Sequence, residues 1–87
     1  MVTAKVKVVQ PQGLHVRPAH GFVGGVKNFS SDVTIIFKGA SVNAKSIMQV
    51  MLAGITQGSE IEVCCEGADE QEALDEAVRL IESGLGE

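Results

Sequence analysis

The segment DVTIIFKGASVN, residues 32 to 43, contains two short runs joined by a Lys-Gly pair. Val33, Ile35 and Phe37 recur at every second position, which is the period of a half-buried strand. Gly39 permits the tight turn that returns the chain to a short partner strand around residues 40 to 43. The segment therefore predicts a β-hairpin.

Two further segments show the same period of two, and each predicts an amphipathic strand. The first spans residues 2 to 9, and the second is EIEVCCEG, residues 60 to 67. The apolar positions on one face are Val2, Ala4, Val6 and Val8 in the first segment, and Ile61, Val63 and Cys65 in the second.

Three other segments predict helices. The first runs from about Val16 to Asn28, the second opens at Ser46 and extends to about Ala53, and the third occupies residues 69 to 84. The apolar residues at helical spacing are Ala19, Phe22, Val23 and Val26 in the first helix, and Leu74, Ala77, Val78 and Ile81 in the third.

Helix boundaries are indicated by capping residues. Ser46 followed by Gln49 matches a capping box, and so does Asp69 followed by Glu72. Gly84 is a typical C-terminal stop. The order of elements is therefore βαββαβα, which predicts an α+β fold of two layers, an antiparallel sheet with helices on one face.

Length and charge exclude several classes of protein. The 87 residues suffice for one domain, which we expect to span residues 1 to 87. The formal net charge is −4 and the seven basic residues are scattered, so direct binding to nucleic acid is disfavoured. No apolar run approaches the roughly 20 residues that span a bilayer, and the first residues alternate instead of forming a signal peptide. We expect a cytoplasmic protein without membrane insertion.

The cysteines do not indicate a disulfide or a metal site. Cys64 and Cys65 are adjacent, and in a strand their side chains point to opposite faces. His15 and His20, the two histidines, lie far from them in sequence and are five residues apart, a poor spacing for chelation on a helix. We expect reduced thiols, no metal and no cofactor.

The motif GLHVRPA, residues 13 to 19, concentrates groups that bind anions. Gly13 permits a turn, so His15 falls just before or at a helix start, where free N–H groups attract anions. A neutral imidazole there could accept a phosphoryl group, and the Arg17 guanidinium suits phosphate. The alternative is an ordinary capping histidine and a solvated arginine, which is the better interpretation of an isolated His-x-Arg.

Ser46 and the residues after it also have two interpretations. Ser46 is a capping serine in either case, and a phosphate there would be tolerated at the helix start. Ile47, Met48 and Met51 form a cluster for which core packing is slightly favoured, whereas an exposed Met-rich patch suits docking to several partners. His20 is predicted to be a surface residue.

Four segments together resemble the HPr family, the histidine-containing phosphocarriers of the bacterial phosphoenolpyruvate-dependent sugar phosphotransferase system. They are GLHVRPA, NAKSIMQVM at 43 to 51, GITQGSEIEV at 54 to 63 and EGADEQEAL at 66 to 74. The form of the Ser46 segment resembles the Gram-positive members in particular. The resemblance implies an open-faced β-sandwich with sheet order 1-4-2-3 and three helices on one side.

The resemblance also implies roles for individual residues. His15 would take a phosphoryl group on Nδ1 from enzyme I and pass it to a histidine of enzyme IIA, with Arg17 stabilising the transferring group. Ser46 would be modified by an ATP-dependent HPr kinase/phosphorylase, and this mark would promote binding to the catabolite-control repressor. The partner-docking residues would be His20, Ile47, Met48 and Met51.

A protein of this kind is a carrier and a kinase substrate, not a turnover catalyst, and we expect a monomer. Two alternatives remain open. One is a purely regulatory module that acts through Ser46, and it requires an inert His15. The other is a nitrogen-related carrier of the same fold, which the KSIMQVM segment disfavours.

Overall fold

The computed structural model of the chain describes residues 1–9 and 16–83, with residues 16–18 described by their backbone. Its elements follow the predicted order βαββαβα. They are β1 (Val2–Lys7), α1 (Val16–Val26), β2 (Asp32–Phe37), β3 (Ala40–Asn43), α2 (Ile47–Leu52), β4 (Glu60–Glu66) and α3 (Glu70–Glu82).

The four strands form one antiparallel sheet of order β1-β4-β2-β3, as the resemblance implied. The register places Ile35 of β2 opposite Val42 of β3 and Val63 of β4, so the apolar positions share one face. Lys38 and Gly39 both have positive φ, 52° and 81°, which is the backbone of a two-residue hairpin turn. The predicted hairpin is confirmed.

The three helices cover the apolar face of the sheet. Helix α3 packs on β1, β4 and β2, while α1 contacts both α2 and α3. The largest fully buried side chains come from both the helices and the sheet. They include Phe22 of α1, Ile35 of β2, Ile61 of β4 and Ile81 of α3. Burial of such side chains contributes about 1.5–3 kcal/mol each, so this core is the main source of stability.

The predicted apolar faces are the buried ones. All four predicted positions of α1 are buried, and in α3 only Val78 is left partly exposed. Ala73 of α3 is also buried, although it was not among the apolar positions predicted from helical spacing. Strand β1 ends at Lys7 instead of residue 9, yet Val8 is buried. The Val8 N–H donates to the Ser59 carbonyl and the Val8 carbonyl accepts from the Gly58 N–H, both at 2.8 Å.

The capping box predicted at the start of α3 is wrong. Asp69 is the N-cap residue, but its side chain makes no cap hydrogen bond. A reciprocal pair lies two residues earlier, where the Gly67 N–H donates to Glu70 Oε1 at 3.2 Å and the Glu70 N–H donates to the Gly67 carbonyl at 3.3 Å. Gly84, the predicted stop, lies outside the described residues.

The Asp69 carboxylate is bound instead to the loop between α1 and β2. It accepts the N–H groups of Ser30 and Ser31, each at 2.9 Å, and the hydroxyl of buried Ser31. The Ser31 hydroxyl and the Ser30 N–H stabilise the charged form and lower the pKa of Asp69 to about 2. Gly67 has φ 151° and would place a Cβ 2.7 Å from the Ser31 Cα, so glycine is needed for this close approach.

Candidate functional site

Helix α1 begins directly after the candidate nucleophile. Its first residue is Val16, so position 15 immediately precedes the helix in the chain, as predicted. His15 itself lies outside the described residues, and Arg17 is described only as the second residue of α1. The proposed roles of these two side chains therefore stay predictions.

His20 is an exposed residue of α1. It follows buried Ala19 and precedes buried Phe22, so it lies on the outer face of the helix. It makes no hydrogen bond or ion pair within the part of the chain that is described. The prediction of a surface histidine is confirmed, and its role in docking stays a prediction.

Ser46 caps α2 as predicted. Its Oγ accepts the Gln49 N–H at 3.3 Å, and its backbone is extended, as an N-cap residue requires. Ser46 is half-exposed, so the hydroxyl lies at the surface while it caps the helix.

The second half of this capping box differs from the prediction. Gln49 Oε1 accepts the Asn43 N–H at 2.9 Å, and the Ser46 N–H donates instead to the Asn43 carbonyl at 3.1 Å. Asn43 Oδ1 also accepts the Lys45 N–H at 3.0 Å. Asn43 at the end of β3 therefore holds the start of α2, an arrangement that the Ser-x-x-Gln spacing did not reveal.

Helix α2 has one fully buried side chain, Val50. Ile47 and Met51 are half-buried and pack against the core, whereas Met48 is 65% exposed. Core packing, the interpretation drawn from the residues alone, thus describes part of the contacts of Ile47 and Met51 but is wrong for Met48.

Leu52 was missed by the sequence analysis. It is 77% exposed and lies four residues after Met48, so the two side chains are neighbours on the outer surface of α2. We call this pair the α2 ridge. The i, i+4 spacing indicates from sequence that the two side chains share a face of the helix, and the structure shows that this face is exposed.

The elements that carry His20 and Ser46 are adjacent. Helix α1 packs against α2, and the Lys45 ammonium donates to the Phe29 carbonyl at 2.6 Å. This hydrogen bond joins the residue before the α2 cap to the loop that follows α1. The two sequence-distant segments are therefore in contact with each other.

The cysteines lie on opposite faces of β4, as predicted. Both are free; Cys65 is buried in the core and Cys64 is half-buried on the other face. Burial raises the pKa of both thiols, with the charge of Glu62 adding to the effect at Cys64. Neither thiol is thus activated as a nucleophile.

The described residues form neither a metal-binding cluster nor a membrane-spanning helix. Within residues 1–9 and 16–83, no group of three or more His, Cys, Asp or Glu side chains is arranged to hold a metal ion. No helix in the same part of the chain has the length and apolarity needed to span a bilayer.

Comparison with known proteins gives a consistent result. A family sequence model described as "PTS HPr component phosphorylation site" matches residues 2–83. The phosphocarrier protein HPr of Buchnera aphidicola subsp. Acyrthosiphon pisum is 45% identical over 75 residues, which cover 86% of this chain and 88% of that relative.

Solved structures agree with the sequence comparison. The crystal structure of HPr-C-His from Thermoanaerobacter tengcongensis has a TM-score of 0.96 at 41% identity and covers 100% of this chain and 98% of its own. A crystal structure of an HPr dimer from the same organism has a TM-score of 0.80 at 41% identity and covers 100% of both chains. Because that relative is described as a dimer, the monomer expected for this chain stays a prediction.

Proposed function

This chain belongs to the HPr family of phosphocarrier proteins, and from that premise we propose that His15 is its phosphoryl acceptor. His15 Nδ1 attacks the phosphohistidine of enzyme I, so that a new P–N bond forms at His15 as the bond to enzyme I breaks. A histidine of enzyme IIA then takes the group in the same way. The chain is regenerated only through its protein partners, and it acts in the cytoplasm as a carrier and not as a turnover catalyst.

One observation carries this proposal. The family description of a phosphorylation site covers residues 2–83, and within that range His15 stands immediately before the first residue of α1. The N–H groups of a helix start favour a bound anion, and the Arg17 guanidinium adds a permanent positive charge two residues further on. Both favour the charge distribution of a loose phosphoryl-transfer transition state.

The proposal is tested by labelling with enzyme I and isotopically labelled phosphoenolpyruvate. We expect one acid-labile phosphate on the native chain and none on His15→Ala. His20→Ala is the matched control, because it removes the exposed histidine of α1 and leaves the acceptor in place; we expect it to be labelled to the same final extent. Full labelling of His15→Ala would contradict the assignment.

A second part of the proposal concerns Ser46 as a regulatory site. An ATP-dependent HPr kinase/phosphorylase modifies its hydroxyl, and the mark slows transfer from enzyme I and promotes binding to the catabolite-control repressor. In support of this, Ser46 is half-exposed and lies directly before the helix that contains the exposed Met48. A negative charge at the edge of a docking surface disfavours a negatively charged partner.

Ser46 variants separate the effect of charge from the effect of the cap. Asp and Asn both cap helices, but only Asp carries a charge. We expect Ser46→Asp to reduce the rate of phosphorylation by enzyme I at least about tenfold, and Ser46→Asn to react at nearly the native rate. Equal rates for the two variants would remove the regulatory role of charge.

The docking surface consists of His20, Ile47, Met48 and Met51, to which the structure leads us to add Leu52. Large apolar side chains that remain exposed are typical of interaction sites. An inert His15 combined with a Ser46 that a kinase modifies would favour the purely regulatory module instead.

A further inference from the structure

The three methionines of the chain differ in access to solvent. Met1 is 72% exposed and Met48 is 65% exposed, whereas Met51 is half-buried and packs against the core. Met48 thus presents its thioether to dissolved oxidants, and Met51 is partly protected. Susceptibility of methionine to oxidation is expected to follow this exposure.

Met48 lies where oxidation of its side chain would change the exposed surface of α2. It is the second residue of α2, two residues after Ser46, and with Leu52 it forms the α2 ridge. Val50 alone is fully buried in this helix, so a change at Met48 alters the surface without removing a core contact. Oxidation of Met51, in contrast, would place a polar oxygen against the core.

We propose that Met48 is a modification site for two-electron oxidants of the peroxide class, and that sulfoxide at this position weakens docking to enzyme I. The inference rests on the proposed function. With hydrogen peroxide, the sulfur lone pair attacks one oxygen, an S–O bond forms and the O–O bond breaks. The hydrogen of the attacked oxygen passes to the departing hydroxide, which leaves as water. The sulfur is oxidised by two electrons and the peroxide is reduced by two.

The reaction is reversible by a thiol-dependent methionine sulfoxide reductase. Two thiols reduce the sulfoxide to the thioether, and a disulfide and water are the other products. Docking weakens because the flexible apolar side chain gains a strongly polar oxygen, which loses its water when a partner covers the ridge. The ridge therefore has two chemical states that a redox change can interconvert.

The test compares the KM of phosphoryl transfer from enzyme I before and after treatment with hydrogen peroxide. The full chain is oxidised, the peroxide is removed by desalting, and dithiothreitol then restores any oxidised thiol without reducing sulfoxide. Mass spectrometry of peptides assigns the sulfoxides. For the native chain we expect KM to rise on the order of tenfold with kcat little changed and the melting temperature unaltered.

Three variants isolate the residue responsible. The two leucine variants are each judged by the ratio of their own KM values after and before peroxide, and the glutamine variant by its KM without oxidant. Met48→Leu should give a ratio near one, although Met1 and Met51 are still present. Met51→Leu should keep the native ratio. Met48→Gln, which carries a polar amide in place of the sulfoxide, should show a raised KM without any oxidant. Incubation of the oxidised native chain with the reductase should restore the original KM.

The outcomes distinguish this inference from the proposed function. A chain that accepts no phosphate before oxidation overturns the proposed function, and the inference falls with it. Normal acceptance together with an unchanged KM after oxidation overturns the inference alone, as does an equal rise in Met48→Leu. Oxidation of Met51 ahead of Met48 also overturns it.

Discussion

The starts of α2 and α3 have the same sequence signature but different structures. Each has a capping residue followed three positions later by Gln or Glu. Ser46 caps its own helix by accepting the Gln49 N–H. The Asp69 side chain does not cap α3 and instead binds Ser30 and Ser31, which lie 39 and 38 residues away in sequence.

The difference shows how a local motif competes with tertiary donors. A serine hydroxyl is short and can satisfy one nearby N–H, whereas an ionised carboxylate has several acceptor sites and forms stronger hydrogen bonds. Three donors converge on Asp69, so the contact across the fold prevails over the cap. One helix start is therefore local in origin, and the other is a tertiary contact.

The largest expected effect comes from removal of the tertiary contact. Asp69→Ala leaves the Ser30 and Ser31 N–H groups and the buried Ser31 hydroxyl without their acceptor. We expect the melting temperature to fall by more than about 8 °C, measured by circular dichroism. Glu72→Gln is the matched control, since Glu72 is exposed and belongs to the box that does not form; its melting temperature should remain close to native. Equal losses in the two variants would show that Asp69 acts only through the helix charge.

The same contact should produce an acid transition. The pKa of Asp69 is lowered from 3.8 to about 2 in the fold, so its stabilisation is fully present above the ordinary pKa and is lost as the pH falls through about 2. We expect the difference in urea midpoint between the native chain and Asp69→Asn to be constant from pH 7 to about 5 and to shrink between about pH 4 and 2. A difference that persists unchanged at pH 2 would contradict the assignment.

Loss of the local cap should have a smaller effect. Ser46→Ala removes the acceptor of the Gln49 N–H, and we expect the free energy of unfolding to fall by about 0.5–1 kcal/mol in urea titrations. Ser46→Asn retains a capping acceptor and should remain within about 0.5 kcal/mol of the native chain. If Ser46→Ala were as unstable as Asp69→Ala, the contrast between the two helix starts would be lost.

The smallest effect is expected for the side chain of Gln49. Gln49→Ala removes the acceptor of the Asn43 N–H at an exposed site, so the loss should be about 0.5 kcal/mol. Gln49→Glu keeps an acceptor at the same reach and should not show this loss. If both substitutions had the same effect, the Asn43 contact would not contribute to stability.

The fold could be predicted from sequence because its elements are amphipathic. The two-residue period located the strands, and the helical stripes of α1 and α3 identified the residues that are buried. The sheet order, in contrast, came from the family resemblance, since four amphipathic strands can be ordered in several ways with the same apolar face. The hydrogen bonds of Gln49 and Asp69 could not be predicted from their capping motifs either. Their partners, Asn43 for Gln49 and the Ser30–Ser31 loop for Asp69, lie outside those motifs.

The candidate site shows a similar division. The sequence by itself placed His15 before a helix and Ser46 at a cap, because these positions depend on neighbours within a few residues. Only the tertiary structure decided that Ile47 and Met51 are half-buried while Met48 and Leu52 are exposed. Exposure depends on how α2 packs against α1 and the sheet. Every residue of this six-residue helix except Gln49 is apolar, so the sequence shows no polar face from which periodicity could identify the buried one.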